Sequence, residues 1–401
     1  MIESNTPQFR KATLALCLGA FMIFANAYIP QPLLPMLAAQ FQISPLEAGL
    51  SVTITTLTLG LSLLLFGPLS DAIGRNLLMV CTMCGVMFCT FSLSLVESYS
   101  QLLFLRALQG FFLAGLPAIA IAYMGDEFSR SALVSAVGIY IGANTLGGIG
   151  GRLIGGFIGD WFGWQEAFLC MSLVSFICLS LFVWLLPASE NFNSKPLTPS
   201  KMFSDMAGHL RNPLLLLAYL VGGFNFFIFI NQYSYATFML ADAPYNLSAS
   251  LLGMLFLTYL SGTVGSFVSG RFAAVMPQPL IIAGGVICLM LGSLLTLQGS
   301  VLAILSGFLL NAFGLFVAHS SVSSWVSHNA IHAKATASSI YLVFYYLGAS
   351  TGGLYLDPFW HWMAWDGVVV GSLLILAITL LLSLVLHFKT RAILAQQICT
   401  G

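Results

Sequence analysis

Three basic side chains fall well inside long apolar stretches of this chain, away from their ends: Arg106, Arg152 and His319. A charge at the centre of a membrane-spanning helix costs roughly 2.5–3.5 kcal/mol on insertion scales, so such residues face a cavity or a partner. Arg106 lies about a turn or two from one end of its stretch, and snorkelling to that interface is the alternative for it. At about 100° per residue Arg152 sits about 80° from Asn144, so Tyr140, Asn144 and Arg152 share one broad helix face. His319, with an ordinary pKa of about 6.5, can carry a proton or simply pack between helices. No H-x-x-x-D, H-E-x-x-H or carboxylate pair occurs at comparable depth, so no catalytic residue, cofactor or metal ligand is expected. Cys81-x-x-Cys84 has metal or redox spacing, but it lies in an apolar segment without further ligands and reads as packing.

A second set carries hydrogen-bonding and aromatic groups at similar depth: Asn26, Tyr28, Gln31, Asn144, Asn225, Asn231, Gln232, Tyr233, Tyr259, Asn311, Tyr341, Tyr345 and Tyr346. Asn225 and Gln232 are seven apart, two turns on one face. Each can hydrogen-bond a neighbouring helix instead of a ligand. As a set, amides and aromatics around an apolar site suit an amphipathic small molecule.

These residues are carried by twelve apolar segments, near 12–38, 46–69, 77–95, 101–125, 132–158, 165–187, 213–240, 249–270, 279–297, 300–325, 334–356 and 366–387. Most reach the roughly 20 residues a helix needs to cross a bilayer core. The chain is 59% hydrophobic and 6% charged, with a mean hydropathy of +0.95, too little polar surface for a soluble fold. Eleven of the thirteen Lys and Arg lie outside the segments, and all eleven fall at a terminus or in an even-numbered gap. Loops rich in Lys and Arg stay in the cytoplasm, which predicts cytoplasmic termini and an even number of spans. All seven Trp lie near segment ends, as an aromatic belt does. Seven of eight cysteines lie within spans and Cys399 in the tail, so no disulfide is expected. The first segment runs on into Gln31-Pro32-Leu33-Leu34-Pro35 with no small-residue cleavage pattern, and is read as a retained helix. A net charge of zero argues against a nucleic-acid partner.

The one long gap divides six spans from six, the pattern of a duplicated bundle. The expected organisation is an N-terminal bundle over 1–187, a cytoplasmic linker over 188–212 and a C-terminal bundle with a short tail over 213–401. Within the linker Met202, Phe203, Met206 and Leu210 recur at helical spacing, which predicts an interfacial amphipathic helix.

After the second span comes Gly67-Pro68-Leu69-Ser70-Asp71-Ala72-Ile73-Gly74-Arg75, which resembles the signature loop of the major facilitator superfamily, G-x-L-x-D-x-x-G-R. Leu102-x-x-x-Arg106-x-x-Gln109-Gly110 is similar to that family's second motif. Gly147-x-x-x-Gly151-Arg152-x-x-Gly155-Gly156 looks like its third, with Arg152 where antiporter branches have proline. Glycines at four-residue spacing let another helix approach closely. Gln31-Pro32-Leu33-Leu34-Pro35, Ala318-His319-Ser320, Ser338-Ser339-Ile340-Tyr341 and Tyr345-Tyr346-Leu347-Gly348 add a resemblance to the YnfM-type bacterial inner-membrane transporters.

The resemblance implies an all-α fold of twelve transmembrane helices in two six-helix bundles, alternating access, and efflux of amphipathic compounds with protons as coupling ion. It implies a monomer in the bacterial inner membrane, with Gly67, Asp71, Gly74, Arg75 and Arg130 as a gating motif. Relatives that expel cationic drugs carry a mid-membrane carboxylate, which is absent here. Arg106 and Arg152 instead favour an anionic or zwitterionic group, so uptake or exchange of an organic anion is the alternative, and a non-transporting membrane sensor a distant one.

Overall fold

In the computed structural model, residues 1–4, 6–192, 194 and 199–400 are described, and they are almost entirely helical. The chain runs through α1 (Pro7–Tyr28), a 3-10 turn (Gln31–Leu33), α2 (Leu34–Phe41), α3 (Pro45–Ile73), α4 (Arg75–Leu93), α5 (Tyr99–Leu113), α6 (Gly115–Glu127), α7 (Arg130–Phe162) and α8 (Trp164–Leu185). There follow α9 (Pro199–Arg211), α10 (Pro213–Ala241), α11 (Ala249–Leu255), a 3-10 turn (Phe256–Tyr259), α12 (Leu260–Phe272) and α13 (Gln278–Leu295). A 3-10 turn (Thr296–Gln298), α14 (Val301–Asn329) and α15 (Lys334–Thr400) complete it. Eleven continuous helical stretches are long and apolar enough to cross a membrane. The last of them carries non-helical backbone at Met363 and Ala364, which divides it into two spans and gives the expected twelve. Leu61, Phe88, Phe104, Leu173 and Leu302 lie exposed on helix surfaces, as lipid-facing side chains do.

Packing divides the chain into two compact units, one of Met1–Leu197 with Leu240–Phe256, the other of Thr198–Met239 with Leu257–Gly401. The first unit is organised around α1, which packs on α7 and α8, while α3 packs on α5 and α4 on α5 and α8. The α1–α7 seam is closed by glycine: a Cβ built on Gly147 would lie 2.6 Å from the Phe21 carbonyl oxygen, on Gly151 2.2 Å from that of Ala25, and on Gly155 2.5 Å from that of Ile29. These are the glycines of the fifth span's motif, and they serve helix approach. α11 also belongs to this unit, with Gly253 packed against the Arg152 carbonyl and Gly156.

In the second unit α13 packs on α14 and α12 on α14. A buried cluster of Leu215, Tyr219, Ile282, Val322, Trp325, Ile340, Tyr341 and Leu386 fills one end, and Met206 of α9 packs against it. Phe203, on the same helix, is exposed. Lys195 lies outside the described residues.

Candidate functional site

Arg106 is wholly buried in the first unit. Its Nη1 donates to the Asn26 carbonyl at 3.0 Å, its Nη2 to the Ala27 carbonyl at 2.8 Å and its Nε to the Ser51 carbonyl at 3.0 Å. Nη1 also donates to Gln109 Oε1. Among the described residues no ion pair involves Arg106. The guanidinium is therefore satisfied by backbone carbonyls and one amide, its planar fork spread over three chain segments.

Beside it lies a buried polar cluster that joins four helices. Asn26 on α1 donates to Ser175 Oγ on α8 at 2.8 Å and accepts from Thr90 on α4 at 2.5 Å. Gln109 on α5 donates to Thr90 at 2.7 Å. The second unit repeats the plan with different residues. Gln232 on α10 donates to Ser293 on α13 at 2.9 Å and accepts from Asn311 on α14 at 2.9 Å. Each unit thus has an amide on its first long helix, a hydroxyl on its third span and an amide on its fourth. Asn26, Gln232 and Asn311, cavity candidates by sequence, make their hydrogen bonds inside a bundle in this structure.

Arg152 is also buried, at 1% exposure. Its Nε donates to Gln31 Oε1 at 2.6 Å and its Nη1 to the Gly148 carbonyl at 2.9 Å. The guanidinium carbon lies 4.2 Å from the Tyr28 ring centroid and 4.4 Å from that of Phe256, a cation held between two aromatic faces. Tyr28, Gln31 and Arg152 are thereby brought together. On the same α7 face the Tyr140 hydroxyl and Asn144 Oδ1 are buried without a hydrogen-bond partner. One turn beyond Gly156, Asp160 accepts from Ser250 at 2.6 Å.

In the second unit the ring of His319 on α14 faces two tyrosines of α15. Its Nδ1 lies 2.7 Å from the Tyr341 hydroxyl, and its ring centroid is 4.6 Å from that of Tyr345. Tyr345 stacks on Phe226 of α10 at 3.8 Å and 10°, and Tyr346 meets Phe226 edge-on. Asn225, one residue earlier, is 1% exposed, and neither atom of its amide has a partner. Asn231 donates to the Phe227 and Ala349 carbonyls, and Tyr259 packs on Tyr233.

At the end of α3, Gly74 takes φ +109°, a backbone that suits glycine and turns the chain directly into α4. Gly67, by contrast, sits inside α3 with open space where its Cβ would be, so it is not a turn residue. Arg75 pairs with Asp71 at 3.0 Å, with Asp126 and with Ser70 Oγ at 3.3 Å. Arg130 is exposed. Asp126 was missed at sequence level, although it is one of few acids at a span end. Thr90 and Ser175, which complete the buried cluster, give no sequence signal, since hydroxyls are common in apolar helices.

Residues 16–353 match the family model described as Major Facilitator Superfamily. The chain is 35% identical to the inner membrane transport protein YnfM of Escherichia coli (strain K12) over 98% of this chain and 94% of that protein. It is 34% identical to the uncharacterized MFS-type transporter YybF of Bacillus subtilis (strain 168), over 95% of each. Its fold is similar to a crystal structure of a bacterial homologue of the human lysosomal transporter Spinster, with a TM-score of 0.76 at 15% identity, covering 96% of this chain and 98% of that one.

Proposed function

Since the chain belongs to the major facilitator superfamily, we propose that it moves a small amphipathic organic molecule by alternating access, as proton-coupled efflux across a bacterial inner membrane with both termini in the cytoplasm. The observation that carries this reading is the pairing of His319 with Tyr341 against the Tyr345–Phe226 stack. A histidine can take up and release a proton. Here it is bound to a hydroxyl, with no ion pair to His319 among the described residues, and it adjoins aromatic surface suited to a ring-bearing substrate.

Exchange of an organic anion is the second reading, and the observation that favours it is Arg152, whose buried guanidinium lies between Tyr28 and Phe256. Counterflow in proteoliposomes separates the two, using cationic, neutral and anionic aromatic compounds at two pH values and with an imposed proton gradient. Efflux predicts gradient-driven movement of amphipathic compounds, lost in His319→Asn with counterflow retained. Anion-only exchange that ignores the gradient would overturn it in favour of the second reading.

A further inference from the structure

The first span is broken. α1 ends at Tyr28, a 3-10 turn covers Gln31–Leu33, and α2 resumes at Leu34. Pro30 and Pro32 stand at the break, and proline brings no amide hydrogen. The backbone nevertheless stays helical through the first of them: Ile29 has φ −51° and ψ −35°, and Pro30 has φ −74° and ψ −17°. The Ile29 amide donates to the Ala25 carbonyl at 3.0 Å. In that register the nitrogen of Pro30 faces the Asn26 carbonyl, with nothing to donate. The Asn26 carbonyl is one of the oxygens that Arg106 Nη1 reaches, and Nη2 takes the next one, Ala27.

We propose that Arg106 is the positioning residue of a hinge in the first span: its guanidinium replaces the hydrogen bond that Pro30 removes, and so fixes the segment that carries Tyr28 and Gln31. A bilayer core offers no water to do this, and an unserved carbonyl there would be filled by refolding or by displacing the helix. The planar fork matters because donors must reach two successive carbonyls of α1 and the Ser51 carbonyl of α3 together. The ammonium of lysine, a point donor, does not span them. Within the break Gln31 is held by Arg152, whose guanidinium also lies over the Tyr28 ring, so both membrane-embedded arginines hold this one hinge. The charge of Arg106 is a means of holding the backbone, not a binding site for substrate or proton.

The test is a second-site rescue in the full-length protein, using Pro30→Ala, Arg106→Met, Arg106→Lys and the Pro30→Ala/Arg106→Met double variant. The alanine of Pro30→Ala supplies the missing amide in a backbone already helical there. Hydrogen exchange in nanodiscs over residues 24–41 should speed up in Arg106→Met and Arg106→Lys alike and slow again in the double variant. Counterflow should fall by about tenfold in both single Arg106 variants and recover in part in the double one, the coupling that two residues serving one carbonyl must show. The exchange measurement needs no substrate, so it stands whether or not the efflux reading does. Full activity in Arg106→Lys, or a double variant with wild-type exchange and no transport, would overturn the inference, because either result makes the charge itself the requirement.

Discussion

Adding one methyl group at Gly151 should force α1 and α7 apart. The new Cβ would lie 2.2 Å from the Ala25 carbonyl oxygen, 2.5 Å from Ala25 Cα and 2.7 Å from its carbonyl carbon. All three are backbone atoms inside a helix, so no rotamer change relieves the clash. Ordinary contact begins near 3.4 Å, which leaves a shortfall of about 1.2 Å. Gly147 and Gly155, one turn to either side, are also closer than 3.0 Å to α1 backbone, at 2.6 and 2.5 Å, so the helix cannot tilt about Gly151 to make room. Overpacking of this kind costs about 1–3 kcal/mol. The displacement also falls beside Arg152, whose 2.6 Å bond to Gln31 crosses the same seam. Gly142 on the same helix has no atom within 4 Å of its Cβ position and is the matched control, where alanine adds helix propensity at no steric cost. Thermal unfolding of detergent-solubilised protein, followed by size-exclusion of the survivors, should put Gly151→Ala well below wild type and Gly142→Ala at or above it. Transport should fall with the first and not the second. Equal melting of the two alanine variants would mean that α1 and α7 are not closely packed at Gly151.

Arg152→Lys keeps a cation but not the flat surface that lies between Tyr28 and Phe256, so transport should fall by about tenfold at near-normal abundance; Arg152→Pro should lose transport altogether, and full activity in it would remove Arg152 from the mechanism. Asp126→Asn should loosen the turn at Gly74 more than Asp71→Asn does, since the Asp71 side chain is 40% exposed against 31% for Asp126, and an exposed i,i+4 pair contributes under about 1 kcal/mol; hydrogen exchange across residues 70–78 reads the difference. Reporter fusions after Phe192 and at the C-terminus should report cytoplasm and one after Asp242 the outside, and a reversal at Phe192 would refute the assigned orientation.

Hydropathy located the spans well because burial in lipid demands long apolar runs: the tenth, expected near 300–325, is α14 at Val301–Asn329. It could not locate breaks inside spans. The break after Tyr28 had a visible cause in Pro30 and Pro32, yet the apolar run continues through it. The eighth span breaks at Phe256–Tyr259 with no proline at all. For the site, depth was legible and partnership was not. Asn225 and Gln232 share a face by spacing, but Gln232 bonds to two other helices while the Asn225 amide has no partner. Periodicity fixes which way a residue faces on its own helix, whereas the partner is chosen by packing of distant segments. Arg106 illustrates it: the sequence marks a charge that must be satisfied, and only the fold reveals that carbonyls of two earlier spans do it.

The buried polar clusters also constrain how the chain is made. Asn26 is synthesised 80 residues before Arg106 and 149 before Ser175, the groups that complete its hydrogen bonding. Until the fourth and sixth spans arrive, the Asn26 carbonyl lacks Arg106 and its amide lacks Ser175, leaving only the Met22 carbonyl of its own helix and Thr90 of the third span, and a helix in that condition is held loosely or kept near the insertion machinery. Gln232 waits likewise for Ser293 and Asn311, 61 and 79 residues later. A nascent chain stopped after its third span should therefore be a quality-control target, while one stopped after its sixth has a closed set of hydrogen bonds around Asn26 and can persist.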